Sequence, residues 1–229
     1  MYPDLKNFQN LHRDEICRQL KNDGYEILRR GGLCSVYHQP GSDFTVHVSM
    51  TPHTAALACD MFQKHADNPY LPKTHDHLTV NDRVHVSIIE KLVSLEELAE
   101  EDEEHVTFGI ARALSSFAYG DEIHEPVHEE LAKDPRIVEA VRALVGCARK
   151  ALRTYGGEGD SLFVDRDVGG ILFRMDDKGG AQPVFANALC YTTPSRKLED
   201  EFNSILSRMH ALENQQRKTP AACRGSPVP

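Results

Sequence analysis

Residues 161–193 place the strongest constraint on how this chain folds. Two apolar runs, residues 171–174 and 183–186, flank the polar turn 175–182, which contains Asp-Asp-Lys-Gly-Gly. Paired apolar runs around a glycine-containing turn predict a β-hairpin, because glycine supplies the positive φ that such a turn needs. A further short strand at residues 162–164 leads into a loop before the hairpin. The hairpin would bring that loop and the residues after its second strand to one edge.

This segment resembles the catalytic block of the early serine/threonine kinase of T-seven-like bacteriophages and related prophage proteins. Kinases use a base Asp, an Asn five residues later and a metal-binding Asp beyond a hairpin. Asp165 matches the base, whereas Gly170 stands at the Asn and Asn187 at the metal-binding Asp. Asp167 stands at the position of the family His. The resemblance therefore implies a kinase-like fold in which two of the three metal-site positions have lost their usual side chains.

The N-terminal part of the chain contains a second group of candidate site residues. Residues 30–37 resemble the glycine loop that covers nucleotide phosphates in kinases, although a plain Gly-Gly hairpin would give the same pattern. Residues 44–49 alternate like a half-buried strand, and His47 stands where the family has its phosphate-binding lysine. An ordinary strand histidine is an equal interpretation. The nucleotide-site residues that the resemblance implies, in degenerate form, are Gly31, Gly32, Ser35, His47 and Asn187.

The order of predicted elements matches a two-lobed kinase. The helix at residues 54–66 occupies the place of the kinase regulatory helix, with Asp60 as its only acid, and residues 83–90 form the strand before the hinge. The predicted fold is α+β: a small antiparallel-sheet lobe with one main helix, followed by a short, mostly helical lobe. The expected divisions are an N-terminal helix (1–24, helical over 4–23), a small lobe (25–95), a helical lobe (96–216, with helices at 106–119, 135–155 and 194–216) and a flexible tail (217–229).

Charge limits the partners of this chain. The net charge of −9 argues against sequence-independent nucleic-acid binding, which requires Lys and Arg to neutralise phosphates. Residues 96–105 contain six Glu and one Asp, which is typical of a solvated helix face and also suits docking on a basic protein surface. The candidate partner-binding residues are Glu96, Glu97, Glu100, Glu101, Asp102, Glu103 and Glu104.

Other sequence features exclude several classes of site. The six cysteines are scattered with no C-x-x-C pair, so we expect reduced thiols and no metal site. No apolar run reaches the length of about 20 residues that a membrane span needs, and the first residues do not resemble a signal peptide. We expect a cytoplasmic protein, in the host cytoplasm if the phage resemblance holds. Homo-oligomerisation is left open.

Three hypotheses for function follow. The leading one is a pseudokinase that binds and inhibits a host enzyme, the transcription machinery or an antiviral defence complex, with no cofactor expected. The alternative is an unconventional serine/threonine kinase that uses ATP and Mg²⁺, Asp165 as base and a rearranged metal site built from Asp160, Asp167, Asp176 or Asn187. The third is a small α+β regulatory domain whose kinase likeness is accidental.

Overall fold

A five-stranded antiparallel sheet forms the N-terminal half of the protein. The computed structural model describes residues 2–31, 33–94, 97–98, 134–155, 161–163, 171–177, 179–186 and 190–192. The strands are β1 (Glu26–Arg30), β2 (Cys34–His38), β3 (Phe44–Ser49), β4 (Thr74–Val80) and β5 (Val84–Glu90), in the spatial order β1-β2-β3-β5-β4. Helix α2 (Pro52–Lys64) connects β3 to β4. This three-strand, helix, two-strand order confirms the predicted α+β, kinase-like fold.

The central strands β3 and β5 divide their side chains between two faces. Val46 pairs with Ile88 and Val48 with Val86, which places an apolar layer on one face. The alternate pairs, His47 with Ser87 and Thr45 with Ile89, lie on the other face. Because successive strand residues point to opposite sides, the sequence of β3 alone predicts which of its residues share a face of the sheet.

The N-terminal segment covers the apolar face. A 3-10 helix (Leu5–Phe8) and helix α1 (Arg13–Asn22) bury Phe8, Ile16 and Leu20 against the sheet. The prediction of a single helix over residues 4–23 is wrong, because the chain breaks before Arg13. The break has a local cause: the His12 backbone N–H donates to Glu15 Oε2 at 2.7 Å, which starts a new helix there.

The sequence interpretation missed strand β4. The β4–β5 turn has positive φ at Asn81 (50°) and Asp82 (53°), and Arg83 N donates to Val80 O at 3.1 Å. Two positive φ values define the mirror-image turn that suits the right-handed twist of hairpin strands, and Asn and Asp tolerate it best after glycine. The Asn81-Asp82 pair was therefore an available hairpin signal.

The described residues of the C-terminal half form one long helix and two small strand pairs. Helix α3 (Pro135–Tyr155) confirms the prediction for 135–155. Strands β7 (Ile171–Met175) and β8 (Ala181–Phe185) form the predicted hairpin, with Gly179 at φ +81° in a shorter turn. β6 (Ser161–Phe163) pairs with β9 (Cys190–Thr192), a strand not predicted. The predicted helices at 106–119 and 194–216 and the tail 217–229 lie outside the described residues. No helix within the described ranges is long and apolar enough to cross a membrane.

Candidate functional site

A cavity of about 260 Å³ lies between the large sheet and the β7–β8 hairpin. Its walls come from the β1–β2 region, from the cleft face of β3, from the end of β5 and from the hairpin. Two residues that the resemblance implies for a nucleotide site, Gly31 and His47, are among its lining residues. The described lining residues are Leu28, Arg29, Gly31, Cys34, Val36, Thr45, His47, Pro72, Ile89, Glu90, Leu92, Glu97, Leu172 and Ala186.

A buried ion pair joins the two halves at the back of this cavity. Arg174 on β7 donates to both carboxylate oxygens of Glu90 at the end of β5, with Nε to Oε2 at 2.6 Å and Nη2 to Oε1. The same guanidinium donates to Pro69 O at 2.9 Å and to Leu71 O at 3.0 Å. Glu90 Oε1 also accepts from Lys73 N at 2.8 Å. We call this the Glu90–Arg174 clamp; it fixes the hairpin to the hinge strand.

Backbone contacts reinforce the clamp. Val93 and Phe173 exchange two N–H···O bonds of 2.9 Å, and Phe173 is fully buried. Phe185 N donates to Tyr70 O at 2.9 Å, so the second strand of the hairpin is also tied to the N-terminal half. Both strands of the hairpin are therefore tied by backbone hydrogen bonds to the segments on either side of β4 and β5.

His47 occupies the cleft face of β3. Its Nε2 lies 3.0 Å from Thr45 Oγ1, and the loss of solvent around the ring lowers the pKa of His47 to about 4. The imidazole is therefore neutral at pH 7 and supplies no charge to an anion. Asp60 on α2 pairs with His77 Nε2 at 3.3 Å and not with His47. The charged pair that kinases build between this strand and this helix has no counterpart in these residues.

The other predicted site residues divide between the cavity and elsewhere. Gly31 lines the cavity. Ser35 is buried on the opposite face of the sheet, where its Oγ accepts from Arg13 Nη2 at 3.2 Å, so its hydroxyl does not reach the cavity. Gly32, Asp165 and Asn187 lie outside the described residues.

Glu97 forms two hydrogen bonds with Ser94, three residues earlier in the chain. Ser94 N donates to Glu97 Oε2 at 2.6 Å, and Glu97 N donates to Ser94 Oγ at 3.3 Å. This reciprocal capping box begins a helix, and the motif Ser94-x-x-Glu97 was visible in the sequence. Of the predicted partner-binding residues, Glu96, Glu100, Glu101, Asp102, Glu103 and Glu104 lie outside the described residues.

Sequence reasoning missed three residues of this site. Glu90 and Arg174 are 84 positions apart, and nothing in the local pattern of either strand connects them. Arg29 lines the cavity from β1 because of a local irregularity in strand pairing. No local sequence signal identifies that irregularity, since residues 26–30 fit an ordinary strand.

Two histidines with lowered pKa values, His47 and His85, predict an acid-sensitive fold. The pKa of His85 is also lowered to about 4, first by burial and second by the neighbouring His77. In the unfolded chain these histidines bind protons below about pH 6.5, whereas in the folded chain they bind protons only below about pH 4. The free energy of unfolding is therefore expected to fall between about pH 6.5 and pH 4, by at most about 3 kcal/mol for each histidine.

Urea unfolding at several pH values in that window checks this expectation. His85→Asn, which cannot titrate but keeps a polar group towards Thr79 Oγ1, is expected to flatten the decline. The Asp134 carboxyl does not interfere, because its hydrogen bond with Arg136 lowers its pKa to about 2. An unchanged slope in the His85→Asn variant would contradict the assignment.

No family model matches this sequence, and no curated protein matches it. Solved structures with a similar chain trace include the kinase PK-1 of Cydia pomonella granulovirus, at TM-score 0.37 and 12% identity over 78% of this chain and 60% of that one. WbdD, in a complex with a kinase inhibitor, gives TM-score 0.38 and 11% identity over 87% of this chain and 48% of that one.

The aminoglycoside phosphotransferase APH(4)-Ia gives TM-score 0.37 and 14% identity over 90% of this chain and 86% of that one. The chain thus spans 60% of the length of PK-1 and 48% of that of WbdD. At these TM-scores, the assignment of a kinase-like fold rests on the strand order and pairing described above.

Proposed function

We propose that this chain is a pseudokinase, a protein with a kinase-like fold that acts by binding another protein rather than by transferring phosphate. The observation that carries the proposal is His47, which lines the cavity with a pKa lowered to about 4 and which the family resemblance aligns with the phosphate-binding lysine. A neutral imidazole cannot neutralise the charge of a transferring phosphoryl group.

The chemistry of phosphoryl transfer makes this loss severe. Transfer depends almost entirely on positioning and on charge neutralisation by a lysine and by Mg²⁺. Gly170 has no metal-binding side chain, and the Asn187 amide offers one oxygen but no charge to a hard cation. The side chains at positions 170 and 187 therefore fit Mg²⁺ poorly.

We further propose that the binding partner is a protein with a basic surface. The acidic run between residues 96 and 104 supplies the complementary charge, and the net charge of −9 favours the same class of partner. The resemblance to phage early kinases supports a host factor, such as the transcription machinery or an antiviral defence complex, that the chain inhibits. Glu97 is exposed and uses one carboxylate oxygen in its capping bond from Ser94 N.

One experiment with two arms tests the proposal. In the first arm, the protein is incubated with labelled ATP, Mg²⁺ or Mn²⁺, and generic substrate proteins. We expect no incorporation above that of Asp165→Ala. Incorporation that is lost in Asp165→Ala would support the unconventional kinase and overturn the pseudokinase proposal.

The second arm tests the docking surface. Glu100→Lys with Glu101→Lys is expected to weaken capture of partner proteins from a host lysate, because each reversal turns an attraction into a repulsion. The matched control reverses two exposed acids elsewhere, Asp67→Lys with Asp177→Lys. Equal capture by both double variants would show that the acidic run is a solvated helix face.

A further inference from the structure

We propose that Arg29 is the anion-binding residue of the cleft, and that the cleft takes a ligand combining a phosphate group with a planar or apolar body, as a nucleotide does. This goes beyond the proposed function, because holding such a ligand and transferring its phosphate are separate properties. The proposal rests on how β1 is paired, on the charges around the cavity and on the shape of its walls.

Arg29 reaches the cavity through a β-bulge. Ile27 pairs with Tyr37 and Arg29 pairs with Val36, so Leu28 is an extra residue on the β1 side. In a regular strand, consecutive side chains point to opposite faces, and only one of Leu28 and Arg29 would face the cavity. Both line it here. A bulge re-aims side chains in this way, and the exposed Arg29 lines the cavity together with Gly31.

The charges around the cavity leave Arg29 available. The Glu90 carboxylate is neutralised by Arg174, the Glu97 carboxylate is bonded to Ser94 N, and His47 is neutral at pH 7. Arg29 is the one lysine or arginine among the described lining residues. Its side chain is exposed and makes no ion pair with any part of the chain that the structure describes.

The walls of the cavity define the rest of the ligand. Leu28, Val36, Ile89, Leu92 and Leu172 give it an apolar interior suited to a flat ring system. Its volume of about 260 Å³ is close to the lower limit of roughly 300 Å³ for small-molecule sites, so charged groups of a ligand would extend to the rim. At that rim, Arg29 offers paired donors that match a phosphate group.

The position of Arg29 also explains how the cleft can bind an anion without a lysine on β3. Arg29 lies on β1, two strands away from β3, the strand that carries the phosphate-binding lysine in kinases. A rim cation attracts and holds a phosphate. It does not reproduce the buried, preorganised charge that stabilises a transition state, because exposed charges are screened by solvent.

The test compares three probes without metal: ATP, adenosine and inorganic tripolyphosphate. Their dissociation constants are measured by isothermal titration calorimetry for the wild-type full chain and for Arg29→Ala, with Arg30→Ala as the matched control. Arg30 is the next residue on the same exposed strand and does not line the cavity.

Arg29→Ala is expected to weaken ATP binding about 10- to 100-fold, as loss of a charge-assisted hydrogen bond does, and to leave adenosine binding within about twofold. Arg30→Ala is expected to change neither by more than about twofold, because surface charges contribute little. Arg29→Lys is expected to retain part of the ATP affinity, since it keeps the charge but loses the paired donors.

Four outcomes would overturn the inference. They are absence of ATP binding by the wild-type chain, equal effects of Arg29→Ala and Arg30→Ala, equal weakening of ATP and adenosine by Arg29→Ala, and tripolyphosphate binding as tight as ATP. The last would mean that the site takes free polyphosphate and not a nucleotide. Phosphate transfer to a protein would overturn the pseudokinase proposal alone and would leave the role of Arg29 standing, so the two failures are distinguishable.

Discussion

Replacing Arg174 with alanine is expected to lower the free energy of unfolding by about 3–5 kcal/mol. The side chains of Arg174 and Glu90 are 19% and 10% exposed, so each charge relies on the other for solvation. Removing the guanidinium leaves the Glu90 carboxylate buried with Lys73 N as its remaining donor. It also removes the donors to Pro69 O and Leu71 O, two carbonyls in the connection before β4.

Urea unfolding at pH 7 measures this effect, with Arg136→Ala as the control. The Arg136–Asp134 pair also joins a guanidinium to a carboxylate, with Nη2 2.7 Å from Oδ2, but the side chain of Arg136 is 59% exposed. We expect Arg136→Ala to lower the free energy of unfolding much less than Arg174→Ala does, because solvent screens exposed pairs. Equal costs for the two arginines would show that burial does not strengthen the clamp.

A double-mutant cycle separates the pair from its surroundings. Glu90→Leu with Arg174→Leu is expected to be more stable than either single variant, because it leaves no unpaired buried charge. If the loss of stability in the double variant equals the sum of the two single losses, the stabilisation comes instead from the bonds from Arg174 to the backbone carbonyls. Either result bears on the cleft, since the clamp and the Val93–Phe173 bridge together fix the hairpin against the hinge.

Local sequence patterns predicted the elements of the fold that depend on neighbouring residues. The hairpin at residues 171–185, helix α3 and strand β3 follow from periodicity and turn chemistry, and the structure confirms them. The prediction of the first helix was wrong because periodicity alone does not show that Glu15 caps a new helix at His12. Strand β4 was not predicted because the Asn81-Asp82 turn was not recognised as a hairpin signal.

The candidate site was harder to predict because it depends on contacts between distant residues. Alternation predicted the strand that carries His47, and the structure shows His47 lining the cavity, but its low pKa comes from burial, which no local pattern records. The cleft orientation of Arg29 depends on one extra residue in strand β1, and the clamp depends on two residues 84 positions apart. That the site binds a nucleotide stays a prediction from the sequence, whereas the charges around the cavity could be described only from the structure.

The second large effect is expected at the N-terminal segment. Leu20 on α1 is fully buried against the apolar face of the sheet, together with Phe8 and Ile16. Leu20→Ala is expected to lower the free energy of unfolding by about 2–5 kcal/mol, since it removes apolar contacts and leaves a cavity in a packed core. Arg18→Ala, at an exposed position of the same helix, is expected to change it by no more than about 0.5 kcal/mol.

This comparison decides whether the N-terminal segment is part of the domain. If it is, Leu20→Ala lowers the midpoint of the single urea transition of the whole domain, because α1 and the sheet share one core. If the segment is an independent attachment, Leu20→Ala produces an early, separate transition and leaves the main one unchanged. In the first case the apolar face of the sheet is unavailable to a partner. Any protein that this chain binds must then use another surface.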